Sequence, residues 1–229
     1  MFKKYLGKFS IYVLGMFVLS FAVTLILRSG LGSGSWDAFN ANFSELTKGK
    51  ISIGTASQIT GLFFLTIILL YRRQPKYLLS LVPIFITGFF IDLWNLVILK
   101  NFILSNIYLQ ILGFVGGTLL LPLGLSIMIQ SKLATMVYDE ITYILVDVTK
   151  IKSFAIVRIF FELFAIVLAI IFGLIAGIGL GEVNLGTVII SFFLGPIITM
   201  WNNIFDLIFK RNKENVLLEE VLINEENPI

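Results

Sequence analysis

Three of the charged side chains within long apolar stretches of the sequence are the first candidates for chemistry. Asp92 lies inside the apolar stretch 77–99, and Arg158 and Glu162 lie near the start of another, 154–181. A charged side chain at membrane depth is costly, so its presence there points to a function by default. For Asp92 that function is to accept a proton or to bind a cation. The alternative is a neutral carboxyl group, or one that reaches nearby water.

Two pairs of residues suggest further polar sites. Arg158 and Glu162 are four residues apart, so they share one helix face and can form an ion pair with a purely structural role. Alternatively, the Arg158 guanidinium binds an anionic ligand, and Glu162 releases that ligand or takes a proton. Asp37 and Asp139 each begin a short helix-like segment, where a carboxylate either caps free N–H groups or binds a ligand.

The composition is that of a membrane protein. Of the 229 residues, 58% are hydrophobic and 14% are charged, against about a quarter charged in soluble domains. The absence of Cys and His excludes disulfides, thiolate metal sites and Ser-His catalysis. The net charge of +3 comes from short basic clusters between apolar stretches, which does not indicate nucleic-acid binding. The sequence therefore predicts a protein in a lipid bilayer, with no metal and no cofactor.

Six stretches are long and apolar enough to cross a membrane, which takes about 20 residues. They are residues 9–27, 51–71, 77–99, 101–131, 154–181 and 183–209. With the N-terminus inside, twelve Lys and Arg residues fall on the inner side and four on the outer side. This bias predicts a multi-pass protein of the cell (plasma) membrane with both ends in the cytoplasm.

An internal repeat divides the chain into two halves, about 9–99 and 101–209. Two sets of residues recur at matching spacing: Gly88, Trp94 and Asn95 with Gly195, Trp201 and Asn202, and Trp36-Asp37 with Tyr138-Asp139. Ser29 matches Ser131, and Gly15 matches Gly117. Because each half has three spans, an odd number, the second half must be inverted relative to the first, as is common in transporters.

Each half also contains a short amphipathic segment, predicted at 36–46 and 137–148. Each segment either lies flat at the interface or re-enters the membrane. A Gly/Ser-rich turn, which includes Gly30, Gly32 and Gly34, precedes the first segment. Non-helical backbone at membrane depth is tolerated only where protein buries it or it lines a cavity. Tight turns or close helix approach are expected at Gly54-Thr55 and Gly186-Thr187.

At these residues the chain resembles the YczE/YitT-like group of bacterial multi-pass membrane proteins. The YczE branch of that group has a Gly-rich turn followed by Pro-Trp-Asp, then a Gly-Thr segment, and a related turn in its second half. Here residues 30–37 correspond to the first turn, with Ser35 at the usual Pro, and Gly54-Thr55 to the second motif. Residues 132–139 have lost the glycines of the second turn. The resemblance covers nearly the whole chain before the tail, and it implies a membrane location and a fold more than an activity.

We therefore predict an all-α membrane protein with a single transmembrane domain, 1–213, of two three-helix inverted repeats, and an unstructured cytoplasmic tail, 214–229. The function indicated is a small-solute transporter or permease without its own ATPase, acting on a small molecule or ion. The alternatives are a membrane scaffold or regulatory factor with a protein partner, and a substrate-binding subunit of a multi-part importer. We expect no enzymatic activity, because the Gly-x-Gly-Asp motif of intramembrane aspartyl proteases is absent.

Overall fold

In a computed structural model, the described part of the chain forms six apolar spans and two short helices. The structure describes residues 2–134 and 136–226, with side-chain surroundings for 6–134 and 136–208. The helices are α1 (Phe2–Ser29), α2 (Ser35–Leu46), α3 (Ile53–Arg72), α4 (Leu81–Asp92), α5 (Ile107–Ser131), α6 (Val137–Thr149), α7 (Phe154–Ala176) and α8 (Leu185–Glu226). A 3₁₀ turn, Pro75–Ser80, precedes α4, and a π-helical turn, Leu93–Ile98, follows it, so that the three form one continuous span.

The six candidate spans confirm the number predicted from the sequence. They are Leu6–Ser29, Ile53–Arg72, Pro75–Ile98, Ile107–Ser131, Phe154–Ala176 and Leu185–Ile208. Many large apolar side chains on these helices are exposed, including Leu70 at 71% and Phe63 at 61%. Such an apolar surface is compatible with lipid rather than water as the surrounding solvent. The chain is thus embedded in a membrane.

Polar residues at the helix ends define the spans. The hydroxyl of Ser52 accepts the Thr55 N–H at 3.1 Å at the start of α3, and Ser153 has the same role at the start of α7. Each satisfies one of the N–H groups that a helix start leaves without an acceptor. α5, α6 and α7 end at Lys132, Lys150 and Gly177, which adopt the left-handed conformation that stops a helix.

The tightest helix pair is α1 with α5, the first span of each half. Small residues allow the two backbones to approach closely. A Cβ atom on Gly15 would lie 2.9 Å from the carbonyl oxygen of Gly124, and one on Gly117 would lie 3.0 Å from that of Ala22. α4 packs on α1 and α8 packs on α5, whereas α2, α6 and α7 pack mainly on one another and on α3.

The two short helices pack against spanning helices rather than standing apart. α2 packs mainly on α7, and α6 packs on α3 and α7. Most of α2 is buried, including its polar residues Ser35, Asn40 and Asn42. Both helices begin and end within one residue of their predicted bounds.

The last helix continues beyond its span. α8 runs to Glu226, through most of the segment where the sequence predicts an unstructured tail. The last three tail residues, 227–229, lie outside the described residues.

Candidate functional site

The first turns of α2 and α6 meet in an aromatic cluster. Trp36, the second residue of α2, stacks on Tyr138, the second residue of α6, with ring centroids 5.5 Å apart. Phe64 of α3 and Phe161 of α7 lie 4.8 and 4.7 Å from the Trp36 ring, between centroids. We call these four residues the aromatic cluster. The aromatic cluster brings the first turns of α2 and α6 into contact with α3 and α7, the long helices that follow them in the chain.

A charged cluster adjoins these rings. Arg158 of α7 donates from Nε to Oε1 of Glu162 at 2.9 Å, and its Nη1 donates to Oδ1 of Asp139 on α6. The Glu162 side chain is only 10% exposed, so its charge depends on the guanidinium for compensation. One arginine thus joins the two carboxylates and links the start of α6 to α7.

Asp37 of α2 completes this charged cluster. Burial, together with the negative charge of nearby Glu162, raises the pKa of Asp37 to about 7. Tyr138 lies beside Asn40 and Ser57 and close enough to Asp37 and Glu162 to interact with their charges. Burial raises the pKa of the Tyr138 hydroxyl, which stays neutral at physiological pH. Asp37 is therefore a carboxyl group that can gain or lose a proton near neutral pH.

The structure brings together four of the five predicted polar candidates: Asp37, Asp139, Arg158 and Glu162. Asp92 makes different contacts, at the start of α3. Its Oδ1 accepts the Gly54 N–H at 2.9 Å, and its Oδ2 accepts the Ser52 hydroxyl at 2.5 Å. In this structure Asp92 ties the end of α4 to the first turn of α3, a structural contact.

The glycines that the sequence analysis singles out differ in their surroundings. At Gly54 and Gly88 the backbones of α3 and α4 cross so closely that an added Cβ would meet the other helix or Gln58. Gly30 and Gly32 have positive φ values of 68° and 115°, which favour glycine. Gly34 has an ordinary φ of −56° and precedes α2, and Gly195 has no atom within 4 Å of an added Cβ.

The Gly-rich turn after α1 is held by the start of α8. Gly186 donates its N–H to the Leu31 carbonyl at 2.9 Å, and the Thr187 hydroxyl accepts the Ser33 N–H at 3.2 Å. Thr55, from the corresponding motif of the first half, has its hydroxyl oxygen 2.8 Å from that of Ser52. These motif residues position backbone and are not part of the charged cluster.

The repeated Trp and Asn residues have distinct partners. Trp94 donates to the Phe17 carbonyl at 3.3 Å, and Trp201 donates to the Leu119 carbonyl at 3.2 Å. The Asn95 side chain accepts from Arg28 at 3.0 Å. The Oδ1 of Asn202 is buried, with no hydrogen-bond partner among the described residues.

Sequence reasoning missed two sets of polar residues. Asn42, fully buried in α2, donates to the carbonyls of Ala169 and Leu180 at 2.8 and 3.1 Å. Arg72, at the end of α3, holds Glu140 and Asp147 of α6 at 3.0 and 2.8 Å. Two sequence features could have predicted these contacts. One is the amide of Asn42 within an amphipathic segment, and the other is the seven-residue spacing of Glu140 and Asp147, which places both acids on one helix face.

A small cavity lies next to Tyr138. Its volume is about 30 Å³, and its lining includes Ser57, Thr87 and Met136. The Thr87 side chain is buried, and its hydroxyl has no hydrogen-bond partner within the described part of the chain. Among the described residues, no group of three or more acidic side chains is arranged to bind a metal ion.

The spans, exposed apolar faces and buried polar cluster define an integral membrane protein. The chain belongs to DUF6198, a family of unknown function, whose profile matches residues 6–203. It is similar to the uncharacterized protein YyaS of Bacillus subtilis (strain 168), with 32% identity over 192 residues, 83% of this chain and 94% of the relative. No solved structure matches it.

Proposed function

We propose that this protein is a small-solute transporter or permease without its own ATPase, built from two inversely oriented halves. The main support is the charged cluster of Asp37, Asp139, Arg158 and Glu162. It joins both short helices and α7 where the two halves meet. Transporter substrate sites are found in this position, near the ends of discontinuous helices between repeats.

Matching contacts in the two halves support the inverted repeat. The Ser29 hydroxyl donates to the Ile26 carbonyl at 2.5 Å, and Ser131 does the same to Met128 at 2.6 Å. The two repeated tryptophans donate to carbonyls of α1 and α5 that are 102 positions apart (119 − 17), the offset between Ser29 and Ser131 (131 − 29). Contacts reproduced at a constant offset favour a two-fold relation over chance similarity of apolar sequence.

The helix packing fits the same relation. α2 of the first half packs on α7 of the second, and α6 of the second half packs on α3 of the first. Each short helix therefore contacts the equivalent helix of the opposite half. This exchange, together with the burial of α2, favours re-entry over a flat position at the interface. The excess of Lys and Arg in alternate connections favours a cytoplasmic location for both ends of the chain.

Arg158 is the group through which a solute would act. Its guanidinium holds Asp139 of α6 and Glu162 of α7, and Asp37 of α2 lies near Glu162. A solute or proton that neutralises one carboxyl group changes which partners the guanidinium holds. Because these partners belong to different helices, such a change alters the contact between the halves. This provides a physical route from binding to movement.

Flux through proteoliposomes tests this function. Vesicles that contain a pH-sensitive dye are exposed in turn to labelled pools of amines, carboxylic acids and neutral metabolites. Uptake of label and change of internal pH are measured. We expect one pool to give protein-dependent flux, which Arg158→Gln and Glu162→Gln abolish. Arg73→Gln, at an exposed arginine outside the cluster, is the matched control and should retain flux. If both arginine variants behave alike, the cluster is not the transport site.

A role as a membrane scaffold or regulatory factor is the second candidate. It is favoured by α8, which continues 18 residues beyond its span (226 − 208). Such a helix offers a face to a partner protein. Stoichiometric co-purification that depends on residues 209–226, without solute flux, would favour this role over transport.

A further inference from the structure

The balance of charge at the proposed transport site selects the kind of solute. The charged cluster contains three carboxyl groups and one guanidinium, so the acids exceed the base by two (3 − 1). Arg158 already binds Asp139 and Glu162. An added anion would have to displace one of these carboxylates and would still face the remaining negative charge. A cation would reduce the excess, and it would not have to displace a carboxylate from Arg158 in order to bind.

The aromatic cluster supplies surfaces that favour the same charge. The faces of Trp, Tyr and Phe rings attract ammonium groups. Tyr138 carries such a face, and the Trp36 ring stacks on it with ring centroids 5.5 Å apart. Tyr138 interacts with the charges of both Asp37 and Glu162. The rings and the excess carboxylates therefore border one region.

A cavity with a buried hydroxyl, unpaired within the described residues, adjoins this region at Tyr138. The cavity, of about 30 Å³, is lined by Ser57, Thr87 and Tyr138 together with apolar residues that include Pro83 and Ile84. Thr87 is only 6% exposed, and its hydroxyl finds no partner among the residues that the structure describes. A buried hydroxyl without a partner is costly, and a hydroxyl oxygen can accept a hydrogen bond from an ammonium N–H. A cavity of this size has room for one or two waters or a group of similar size.

We propose that the solute is a small protonated amine, which binds between Asp37, Glu162 and the face of Tyr138 with its N–H groups directed toward Thr87. This proposal rests on the proposed transport function and specifies its substrate class. The amine occupies the cavity in its smallest form, methylammonium. Larger amines require the Trp36 and Tyr138 rings to separate, which moves α2 and α6 apart.

Protons compete with the amine at Asp37. The titratable groups that interact with Asp37 are Glu162 of α7 and Tyr138 of α6. Glu162 is in turn paired with Arg158, which also holds Asp139. A protonated Asp37 has no charge to attract an ammonium ion, whereas the deprotonated carboxylate does. Small alkylamines stay protonated to about pH 10, as the lysine side chain does. Binding should therefore strengthen as the pH rises from 6 to 8.

The intrinsic fluorescence of Trp36 provides the test. The chain has three tryptophans, so Trp94→Phe with Trp201→Phe leaves Trp36 as the sole reporter. The purified protein is titrated with methylammonium and, separately, with acetate at constant ionic strength and pH 7.5. We expect saturable quenching by methylammonium only, with a dissociation constant that rises by up to about eightfold at pH 6, because the deprotonated fraction of Asp37 falls from about three quarters to about a tenth. Unfolding temperature in the wild-type protein is the second measurement and should rise with methylammonium.

Variants separate the site from general charge effects. Asp37→Asn and Glu162→Gln should each weaken methylammonium binding about tenfold or more. Asp206→Asn, at an exposed acid of α8, should leave binding unchanged. Thr87→Val should weaken binding without altering the fold, because it keeps the shape of the side chain.

Two results would overturn the amine proposal. One is saturable binding of acetate that Arg158→Gln abolishes, and the other is no effect of methylammonium on either fluorescence or unfolding temperature. In both cases the transport proposal stands if the flux screen finds another solute. Binding of methylammonium without flux of any amine would support the amine-binding site and contradict the transport proposal.

Discussion

At the scale of single residues, the same type of side chain has different roles in different surroundings. Asp92 accepts two hydrogen bonds from the start of α3, from Ser52 and Gly54. Asp37 is buried near another carboxylate, Glu162, and its pKa is raised to about 7. The first aspartate joins two helices, and the second is suited to proton exchange. The sequence around the two aspartates does not predict this difference in role.

The raised pKa of Asp37 predicts a specific effect of pH on stability. Between pH 3.8 and about 7 the folded protein retains a proton that the unfolded chain has lost. The free energy of unfolding therefore falls as the pH rises through this range. Asp37→Asn removes this contribution, so the variant should lose less stability, by up to about 1 kcal/mol per pH unit.

Denaturation of the detergent-solubilised protein at several pH values measures this difference. Glu182 contributes in the same direction, since burial and the charge of Glu45 raise its pKa to about 7. The comparison is therefore between wild type and Asp37→Asn, with Asp206→Asn as the control. Parallel pH profiles for all three proteins would contradict the role given to Asp37.

At the scale of helices, close backbone contacts and a few ion pairs fix the arrangement. The contact of α1 with α5 depends on glycine: a Cβ on Gly15 would lie 2.7 Å from Met128 Cγ and 2.9 Å from the Gly124 carbonyl oxygen. On α8, an added Cβ on Gly195 meets nothing within 4 Å. Two helical glycines in one chain thus allow a matched comparison.

Gly15→Ala should lower the free energy of unfolding by about 1–3 kcal/mol, because the added methyl group pushes the helices apart. Gly195→Ala should be neutral or should raise it by up to about 1 kcal/mol, because alanine is the better helix former. Both values come from denaturant titrations in the same detergent. Equal effects of the two substitutions would show that the α1–α5 contact is looser than described.

The ion pairs of Arg72 hold α6 against α3. Arg72 contacts Glu140 at 3.0 Å and Asp147 at 2.8 Å, and the Tyr77 hydroxyl donates to the same Glu140 oxygen at 3.0 Å. Arg72→Gln should therefore increase the movement of α6 away from α3. Because the chain has no cysteine, Ile144→Cys provides a single thiol on the buried face of α6 for labelling.

The labelling rate of Ile144→Cys should rise several-fold when Arg72→Gln is added. Arg73→Gln, at the neighbouring exposed arginine, is the control and should leave the rate unchanged. High salt should raise the rate in the wild-type background, since these partly exposed pairs are screened. An unchanged labelling rate in the Arg72→Gln background would mean that apolar packing alone holds α6 against α3.

At the scale of the whole molecule, hydropathy and helix-start signals were enough to predict the elements. Six stretches of about 20 apolar residues gave the spans, and the short helices followed from their 3.6-residue periodicity. The grouping of Asp37, Asp139, Arg158 and Glu162 was not predictable, except for the Arg158–Glu162 pair at four-residue spacing. It depends on α2 packing against α7 and α6 against α3, which are long-range contacts that local sequence does not encode.

Access to the region between the halves tests the proposed transport mechanism most directly. Ser57→Cys places one thiol in the lining of the cavity beside Tyr138. Oriented membrane vesicles are treated with a membrane-impermeant, positively charged thiol reagent added to one face at a time. We expect labelling from each face, and protection by methylammonium. Labelling from one face only, or from neither while the unfolded protein still reacts, would contradict a transport site that opens to both sides.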